Sequence, residues 1–456
     1  MKQTTPAHDF SLNYCAEKLQ KLGLNQGANK FELCFEKSSS VTVEVQDGKV
    51  DTLTQSTDQG LAIRTLKDGR MGFSYTFDLG QAALDKAITT ALEISELMSA
   101  DENNILGNFS SHDYPSIQDY DGKGLSVSLD DKITLARELE LVTKAYDPRI
   151  KRVRKSGFDQ SSGEIILTDS DGKRISHASS VFTAYVTCVA EAIDGTAEMG
   201  GDAEYVHFLD SLDYKKVSKL AAQNALELLG STKASTMKCP AVLKSSVVAQ
   251  LVGFLTSSFS AENIDKNYSL LIGKLGAPLF SDRVTLTDDA LLTNGISSSP
   301  FDAEGTPCRK TLLIENGVIR SFLYDNYYAK KSGAYSTGSS KRGSLKAAPS
   351  IGSSNLILQK GSLSFDTLIS KAGTGIYITN VMGLHTANPI TGEFSLGASG
   401  ILIENGKLTR PVKGFAIAGN LIDLLKSVAE VGSDFKFYGG TGVSSLLISE
   451  LSIGGV

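Results

Sequence analysis

The stretch VEVQDGKVDTLTQSTDQGLAIRTLKDGRMGFSYT, residues 43–76, decides the fold of the first part of this 456-residue chain. Apolar and polar residues alternate along it, as they do in strands with one buried face. Asp47-Gly48 and Asp68-Gly69 interrupt the alternation, and such dipeptides tolerate the positive φ of tight hairpin turns. We therefore predict antiparallel strands joined by hairpins. Helical patterns flank them, one over residues 9–22 with Asp9 as N-cap and one opened by Asp78.

The same order of elements recurs from about Leu129. A helical segment capped at Ser128 is followed by strands with Asp171-Gly172 at the turn, and then by a helix that ends at Gly230. Helix, antiparallel strands and helix thus occur twice. This pattern predicts a structural duplication in which N-terminal helices pack on antiparallel sheets.

The character of the sequence changes after GSTKAST, residues 230–236. Glycine and serine become frequent, and two segments, LLIENGVIRSF (312–322) and ILIENGKLTRP (401–411), each predict a hairpin with an Asn-Gly turn. Helices are expected over residues 247–258 and 421–431. The predicted fold class is α+β, with a β-rich, barrel-like C-terminal domain, and the predicted domains are residues 1–125, 126–234 and 235–456.

Composition and charge exclude several classes of protein. The net charge of −6 disfavours direct nucleic-acid binding, which needs a basic surface. The one basic run, PRIKRVRK (148–155), fits a solvated strand, with an anion or partner contact as the alternative. Five scattered cysteines indicate reduced thiols, and neither a secretory segment nor a membrane span is visible. We therefore expect a cytoplasmic protein that does not bind membranes.

Short catalytic motifs do not occur. HExxH, the P-loop, GxGxxG and GxSxG are all absent from the sequence. TDSDGK (168–173) is predicted to be a hairpin turn, because its glycine comes too early for a calcium loop. YGGTGVSS (438–445) fits a tight turn better than an anion cradle. Among the histidines, His385 stands out because it lies in the loop-like stretch GLHTANPITGEFSLGASG (383–400), where ligand contact and a structural role are both open.

Three long blocks carry a family resemblance. The blocks are residues 43–76, SSSPFDAEGTPCRKTLLIENGVI (297–319) and residues 388–425. Together they resemble the TldD/PmbA family of proposed modulators of DNA gyrase, which are regarded as metallopeptidases. The resemblance extends from about residue 31 to residue 455. It implies two branches: TldD-type chains carry HExxxH on a helix and a cysteine ligand near the C-terminus, whereas PmbA-type (TldE) chains lack both and pair with a TldD-type subunit.

The resemblance implies that this chain is of the PmbA type. Its HExxxH window falls on Gly253, Phe254 and Ser258, which supply neither the usual zinc ligands nor a general base, and DFKFYGGTGVSSLL (434–447) contains no cysteine. The helix that holds this window is predicted to bury an apolar face with Phe254 at its rim. The degenerate positions are therefore expected to bind no metal and to include no catalytic residue.

The expected function is that of a non-catalytic subunit. A TldD-type partner would supply zinc and hydrolyse peptide in a heterodimer, while this chain would hold unfolded peptide. The expected cleft residues are His385, Asn388, Thr391, Ser395 and Ser399. Two alternatives stay open: a stand-alone homodimeric peptide-binding module, and a hydrolase whose nucleophile is Cys308 or Cys239 activated by a histidine.

Overall fold

A computed structural model describes residues 7–25, 29–107, 109 and 113–455. Its first part is one antiparallel sheet of six strands, in the spatial order β3-β2-β1-β4-β5-β6. The strands are β1 (Lys30–Gln46), β2 (Lys49–Lys67), β3 (Arg70–Thr76), β4 (Ile150–Asp169), β5 (Arg174–Glu191) and β6 (Ala197–Val206). The central β1–β4 pair joins two three-stranded halves, so the predicted N-terminal and central regions share a sheet.

The predicted hairpins of this sheet are confirmed. Asp47 and Asp68 both adopt a φ of 51°, and Gly172 has a φ of 81°. Left-handed backbone of this kind is what a two-residue hairpin turn requires. The turn residues therefore fix the register of β1 on β2 and of β2 on β3.

Two helices pack on each half of the sheet, as the predicted duplication requires. The helices of this part are α1 (Ala7–Lys21), α2 (Gln81–Leu97), α3 (Gly122–Leu125), α4 (Leu129–Ala145) and α5 (Tyr214–Leu226). Apolar residues of α1 and α2 share a core with β1 and β2, and those of α4 and α5 share one with β4 and β5. Helix α5 comes very close to β6, because a Cβ on Gly200 would lie 2.1 Å from the Ala225 amide nitrogen.

The predicted N-cap of α4 is correct, and that of α1 is not. Ser128 caps α4 as expected, since its side chain accepts a hydrogen bond from the Asp131 amide. The prediction of Asp9 as N-cap is wrong, because α1 begins at Ala7 and Asp9 lies in its first turn. The Asp9 carboxylate pairs with Arg174 at 2.7 Å. An acidic side chain is also favourable in a first turn, where it faces the positive end of the helix dipole.

The C-terminal domain contains a closed barrel of five strands, β8-β15-β16-β17-β21, as the predicted fold class requires. The strands of its sheet are β7 (Thr232–Lys233), β8 (Met237–Leu243), β15 (Gly375–Met382), β16 (Glu393–Glu404), β17 (Lys407–Asn420), β18 (Val428–Val431) and β21 (Leu446–Gly454). Pairing of β21 with both β8 and β17 closes the ring.

A second sheet packs on the barrel, in the order β11-β10-β9-β14-β20-β19. Its strands are β9 (Leu286–Asp289), β10 (Lys310–Glu315), β11 (Val318–Ile319), β14 (Leu356–Leu358), β19 (Lys436–Tyr438) and β20 (Thr441–Val443), and a separate pair is β12 (Ser340–Lys341) with β13 (Ser350–Ile351). Both predicted Asn-Gly hairpins are confirmed, with φ of 48° at Asn316 and 52° at Asn405.

Five helices complete this domain: α6 (Ser245–Leu255), α7 (Ala261–Asp265), α8 (Asn326–Ser332), α9 (Phe365–Ala372) and α10 (Leu421–Lys426). The apolar face predicted for α6 is buried, with Phe254 partly buried at its rim. The helix predicted over 421–431 is too long. It ends at Lys426 because the next residues pair with β21 as β18. In the part of the chain described here, no helix is both long and apolar enough to cross a membrane.

Candidate functional site

A cavity of about 710 Å³ lies where the six-stranded sheet meets the C-terminal domain. Strand β6 and helix α5 form one wall, and the start of α6, strand β15 and strand β19 form the other. Cavities of this size commonly hold small molecules or short segments of chain. The side chains and main chain along these walls therefore define the candidate site.

Lys244 joins the two walls. It is the N-cap residue of α6, its side chain is 17% exposed, and its ammonium group pairs with the Glu227 carboxylate of the α5 C-cap. The ammonium also donates to Asn224 Oδ1 at 2.8 Å, and Asn224 Nδ2 donates to the Gly201 carbonyl oxygen at 2.9 Å. This chain of contacts fixes α6 relative to the outer edge of β6.

A second ion pair crosses the site further along β6. Lys436 of β19 contacts Asp202 at 2.6 Å, and their side chains are 25% and 10% exposed. Burial raises the pKa of the Asp202 carboxyl, and its contact with Lys436 opposes that rise. Lys436 also lies 5.1 Å from the centre of the Tyr438 ring. The Asp202 carboxylate is thus largely shielded from solvent and paired with one cation.

Strand β6 is the outermost strand of its sheet and, among the strands that the structure describes, pairs only with β5. In an antiparallel strand the N–H and C=O of every second residue point to the same side. The Gly201 carbonyl faces α5, and the Ala203 N–H lies against the Asp202 carboxylate, so Gly201 and Ala203 belong to the outward set. This edge can pair with an extended chain in the cavity.

The helix that holds the predicted window, α6, meets the segment 434–447 at its first residue, away from the window itself. Ser245 Oγ lies 2.8 Å from the Tyr438 hydroxyl oxygen, and both residues line the cavity. The predicted window lies further along: Gly253 is exposed with open space around its Cβ position, Phe254 packs against the core, and Ser258 is buried. The structure does not bring those three residues to the cavity lining.

Three of the predicted cleft residues lie in the exposed turn between β15 and β16. His385 is in a short 3₁₀ turn, and Asn388 Oδ1 accepts hydrogen bonds from the amides of Ile390 and Thr391. All three side chains are exposed. Asn388 therefore stabilises the turn itself.

The other two predicted cleft residues lie on β16. Ser395 is exposed, and Ser399 is buried opposite Asn380 of β15, which lines the cavity. The structure thus brings Ser399 beside the cavity and leaves Ser395 and the residues of the turn outside its lining. The role of all five in a cleft stays a prediction.

The described residues of the site do not fit a zinc ion. Within the described ranges, no group of three histidine, cysteine, aspartate or glutamate side chains is placed to hold a metal. Where α6 meets the cavity, the lining groups are the Lys244 ammonium, the Gln250 amide and the hydroxyls of Ser245, Ser246 and Tyr438. Zinc prefers thiolate, imidazole and carboxylate ligands. His112 lies outside the described residues.

Burial argues against either cysteine as a nucleophile. Cys308 is buried, and burial raises the pKa of its thiol to about 12. Its Sγ donates a hydrogen bond to the Gly338 carbonyl oxygen at 3.3 Å. Burial also raises the pKa of Cys239. Because the thiolate is the reactive form, both thiols are poor nucleophiles at neutral pH.

Models of one protein family match the chain in three consecutive ranges. The PmbA/TldA metallopeptidase domain 1 matches residues 31–95, the central domain matches residues 122–229, and the C-terminal domain matches residues 236–455. The chain belongs to the PmbA/TldD family. Several relatives are named metalloproteases, and the match extends over nearly the whole chain.

Individual relatives agree with this assignment. The chain is 27% identical to the metalloprotease PmbA of Escherichia coli over 442 residues, which cover 95% of this chain and 93% of that one. An uncharacterized Methanocaldococcus jannaschii protein is 30% identical over 416 residues, covering 90% and 93%.

Solved structures of PmbA/TldD proteins share the fold. A proposed DNA gyrase modulator from Thermotoga maritima superposes with a TM-score of 0.89 at 27% identity, covering 98% of this chain and 100% of that one. TldE from Thermococcus kodakarensis reaches 0.88 at 23% identity, covering 97% and 100%, which shows the common fold alone.

Sequence reasoning missed Lys244, Asp202 and Lys436. In the sequence each is an ordinary charged residue, and only the tertiary structure places it where the six-stranded sheet meets the C-terminal domain. One local feature pointed to the right place: Gly200-Gly201 lies inside a strand. Glycine in a strand interior often marks the close approach of another backbone.

Proposed function

We propose that this PmbA/TldD-family chain is a non-catalytic subunit that holds unfolded peptide for an HExxxH-bearing partner of the same family. The partner supplies zinc and hydrolyses the peptide bond. The observation that carries the proposal is an open strand edge beside a cavity whose groups at the start of α6 do not fit a zinc ion; they belong to Lys244, Ser245, Ser246 and Gln250. No step of bond cleavage is assigned to this chain.

The site binds the main chain of its substrate. An extended peptide adds to the outer edge of β6 and pairs with the Gly201 N–H and the Ala203 carbonyl oxygen, the outward groups that Asn224 and Asp202 do not engage. Two ion pairs join charged residues of the walls, Lys244 with Glu227 and Lys436 with Asp202. The remaining lining carboxylate, Asp434, accepts hydrogen bonds from the amide and hydroxyl of Ser445. Binding through main-chain groups accepts many sequences, which suits an unfolded substrate.

The assembled complex extends this site beyond the chain. We assign the exposed turn of His385, Asn388 and Thr391, with Ser395, to the rim that meets the partner's cleft, and Ser399 to the wall beside the cavity. These residues present hydrogen-bonding groups and no metal-binding set. Their substitution by alanine is expected to weaken peptide capture by the complex without changing the zinc content of the partner.

Reconstitution tests the proposal. The chain and an HExxxH-bearing homologue from the same genome are purified separately and together, and cleavage of an unstructured peptide is measured. We expect this chain alone to be inactive, the partner alone to be weak, and the complex to be active. Full activity of the partner alone contradicts the proposal, and so does a stable homodimer of this chain that does not bind the homologue. The homodimer would favour the stand-alone binding module.

A further inference from the structure

A second cavity, of about 510 Å³, lies between the first sheet and helix α8. Three cations line it, Lys30, Arg309 and Lys330, and its lining contains no aspartate or glutamate. The chain as a whole has a net charge of −6. We propose that this cavity binds a small phosphorylated anion, either free phosphate or a phosphate ester.

The three cations come from distant parts of the chain. Lys30 begins β1 opposite Leu66 of β2, Arg309 directly precedes β10, and Lys330 lies on α8. Asn326 lies one turn before Lys330 on the same face of α8, and both line the cavity. The concentration of positive charge is therefore a product of the tertiary structure, and no basic run in the sequence predicts it.

These charges are not neutralised by neighbouring carboxylates. Among the ion pairs of the described residues, none includes Lys30, Arg309 or Lys330. Lys330 donates to the main-chain carbonyl oxygen of Glu102, which is a neutral acceptor.

Two carboxylates close to the cavity are engaged by other side chains. Glu304, next to the lining residue Gly305, binds Arg64 at 2.9 Å, and Asp101 accepts from the Tyr327 hydroxyl at 2.7 Å. Unpaired cations around a concave site focus a positive potential and attract anions.

The remaining lining suits an anion with a further group attached. Thr306 and Asn326 hydrogen-bond to each other, with Asn326 Nδ2 donating to Thr306 Oγ1 at 3.1 Å, and the second N–H of the Asn326 amide is left to donate to a ligand. The Tyr335 side chain is 86% exposed and offers a free ring for stacking. A guanidinium group such as that of Arg309 matches the geometry of phosphate oxygens with two parallel hydrogen bonds.

Calorimetry on the full-length chain tests the site, with inorganic phosphate, AMP and adenosine as probes. We expect saturable binding of phosphate or AMP, none of adenosine, and affinity that falls as salt is raised. Tighter binding of AMP identifies a phosphate ester as the ligand class, and equal binding identifies free phosphate. The measurement is independent of peptide binding, so its failure and the failure of the proposed function are distinguishable.

Substitutions locate the binding. R309Q and K30Q are each expected to weaken phosphate or AMP binding roughly tenfold, and R309K is expected to restore part of the loss. K151Q removes an exposed cation of β4 and serves as the matched control, with unchanged affinity. The absence of saturable binding by both phosphate probes, or equal binding by wild type, R309Q and K30Q, overturns the proposal. Unchanged thermal unfolding shows that the variants fold.

Discussion

The two outer strands of the six-stranded sheet, β3 and β6, hold equivalent places in its two halves but face different surroundings. Each has a glycine against a helix: a Cβ on Gly72 would lie 1.9 Å from the Ala91 carbonyl oxygen of α2, and one on Gly200 would lie 2.1 Å from the Ala225 amide nitrogen of α5. Strand β6 faces the C-terminal domain across the 710 Å³ cavity, and no residue of β3 lines that cavity. The duplicated fold thus supplies two outer strand edges. The C-terminal domain lies across a cavity from one of them, β6, and so makes that edge a candidate site.

The largest expected effect tests the equivalence of the two edges. G72V and G200V are each expected to lower the free energy of unfolding by about 3 kcal/mol, because the new side chain meets main-chain atoms of a packed helix. Urea denaturation measures the loss. G163V is the matched control in β4, where a Cβ has open space. If G200V is as stable as G163V, the close packing of α5 on β6 is wrong.

The next effect concerns the ion pair that distinguishes β6. K436M leaves the Asp202 carboxylate, 10% exposed, without its cation, and is expected to cost about 2 kcal/mol at pH 7. The double variant D202N/K436M is expected to recover most of this loss, because it leaves no unpaired charge. Urea denaturation of the wild type, both single variants and the double variant completes the cycle. A fully additive double variant contradicts the pairing.

The pH dependence of these variants has a definite sign. Burial raises the pKa of Asp202 in the folded chain, so the folded state binds this proton more tightly than the unfolded state does. Stability from this group is therefore present below its unfolded pKa of about 4 and is lost as the pH rises through the folded pKa. The cost of K436M should grow from pH 4 to pH 7, and D202N should remove that trend. A cost of K436M that stays constant with pH contradicts this assignment.

A smaller effect tests the open edge of β6 as a main-chain binding site. An extended peptide presents every second amide to the strand it joins. N-methylation of that set of amides is expected to weaken binding roughly tenfold, whereas methylation of the other set changes it less than about twofold. Fluorescence anisotropy with a labelled unstructured peptide measures both. Equal losses for the two sets would show that the peptide does not pair with a strand.

The smallest effects compare the two ends of α6. G253A is expected to stabilise the chain by about 1 kcal/mol, since Gly253 is helical, exposed and surrounded by open space. S245A is expected to destabilise it by about 1 kcal/mol through loss of the 2.8 Å contact with Tyr438. Thermal unfolding of the two variants gives the comparison. A destabilised G253A would mean that this end of α6 is more tightly packed than described.

Local chemistry explains what the sequence could predict. The Asp-Gly and Asn-Gly turns and the buried face of α6 depend on neighbours within a few residues, and all are confirmed. The error over residues 421–431 has the same origin, because Val428 and Val431 fit a helix or a strand until β21 pairs with them. Helical periodicity alone cannot decide between a helix and a strand over these residues.

The candidate site depends on contacts that the sequence does not show. Lys436 meets Asp202 across 234 positions, and Tyr438 meets Ser245 across 193. No local sequence pattern marks either pair, because both form where the six-stranded sheet meets the C-terminal domain. The predicted turn around His385 was found from its composition, but composition did not show that the turn lies outside the cavity.

Zinc content of the chain, expressed alone and purified without chelator, shows whether this chain holds a metal site of its own. Plasma mass spectrometry on the purified chain, beside its HExxxH-bearing homologue, gives the metal content of each. We expect zinc far below one ion per chain here and close to one ion per chain in the homologue. Near-stoichiometric zinc in this chain would contradict its role as a metal-free subunit and make His385 the first ligand to test.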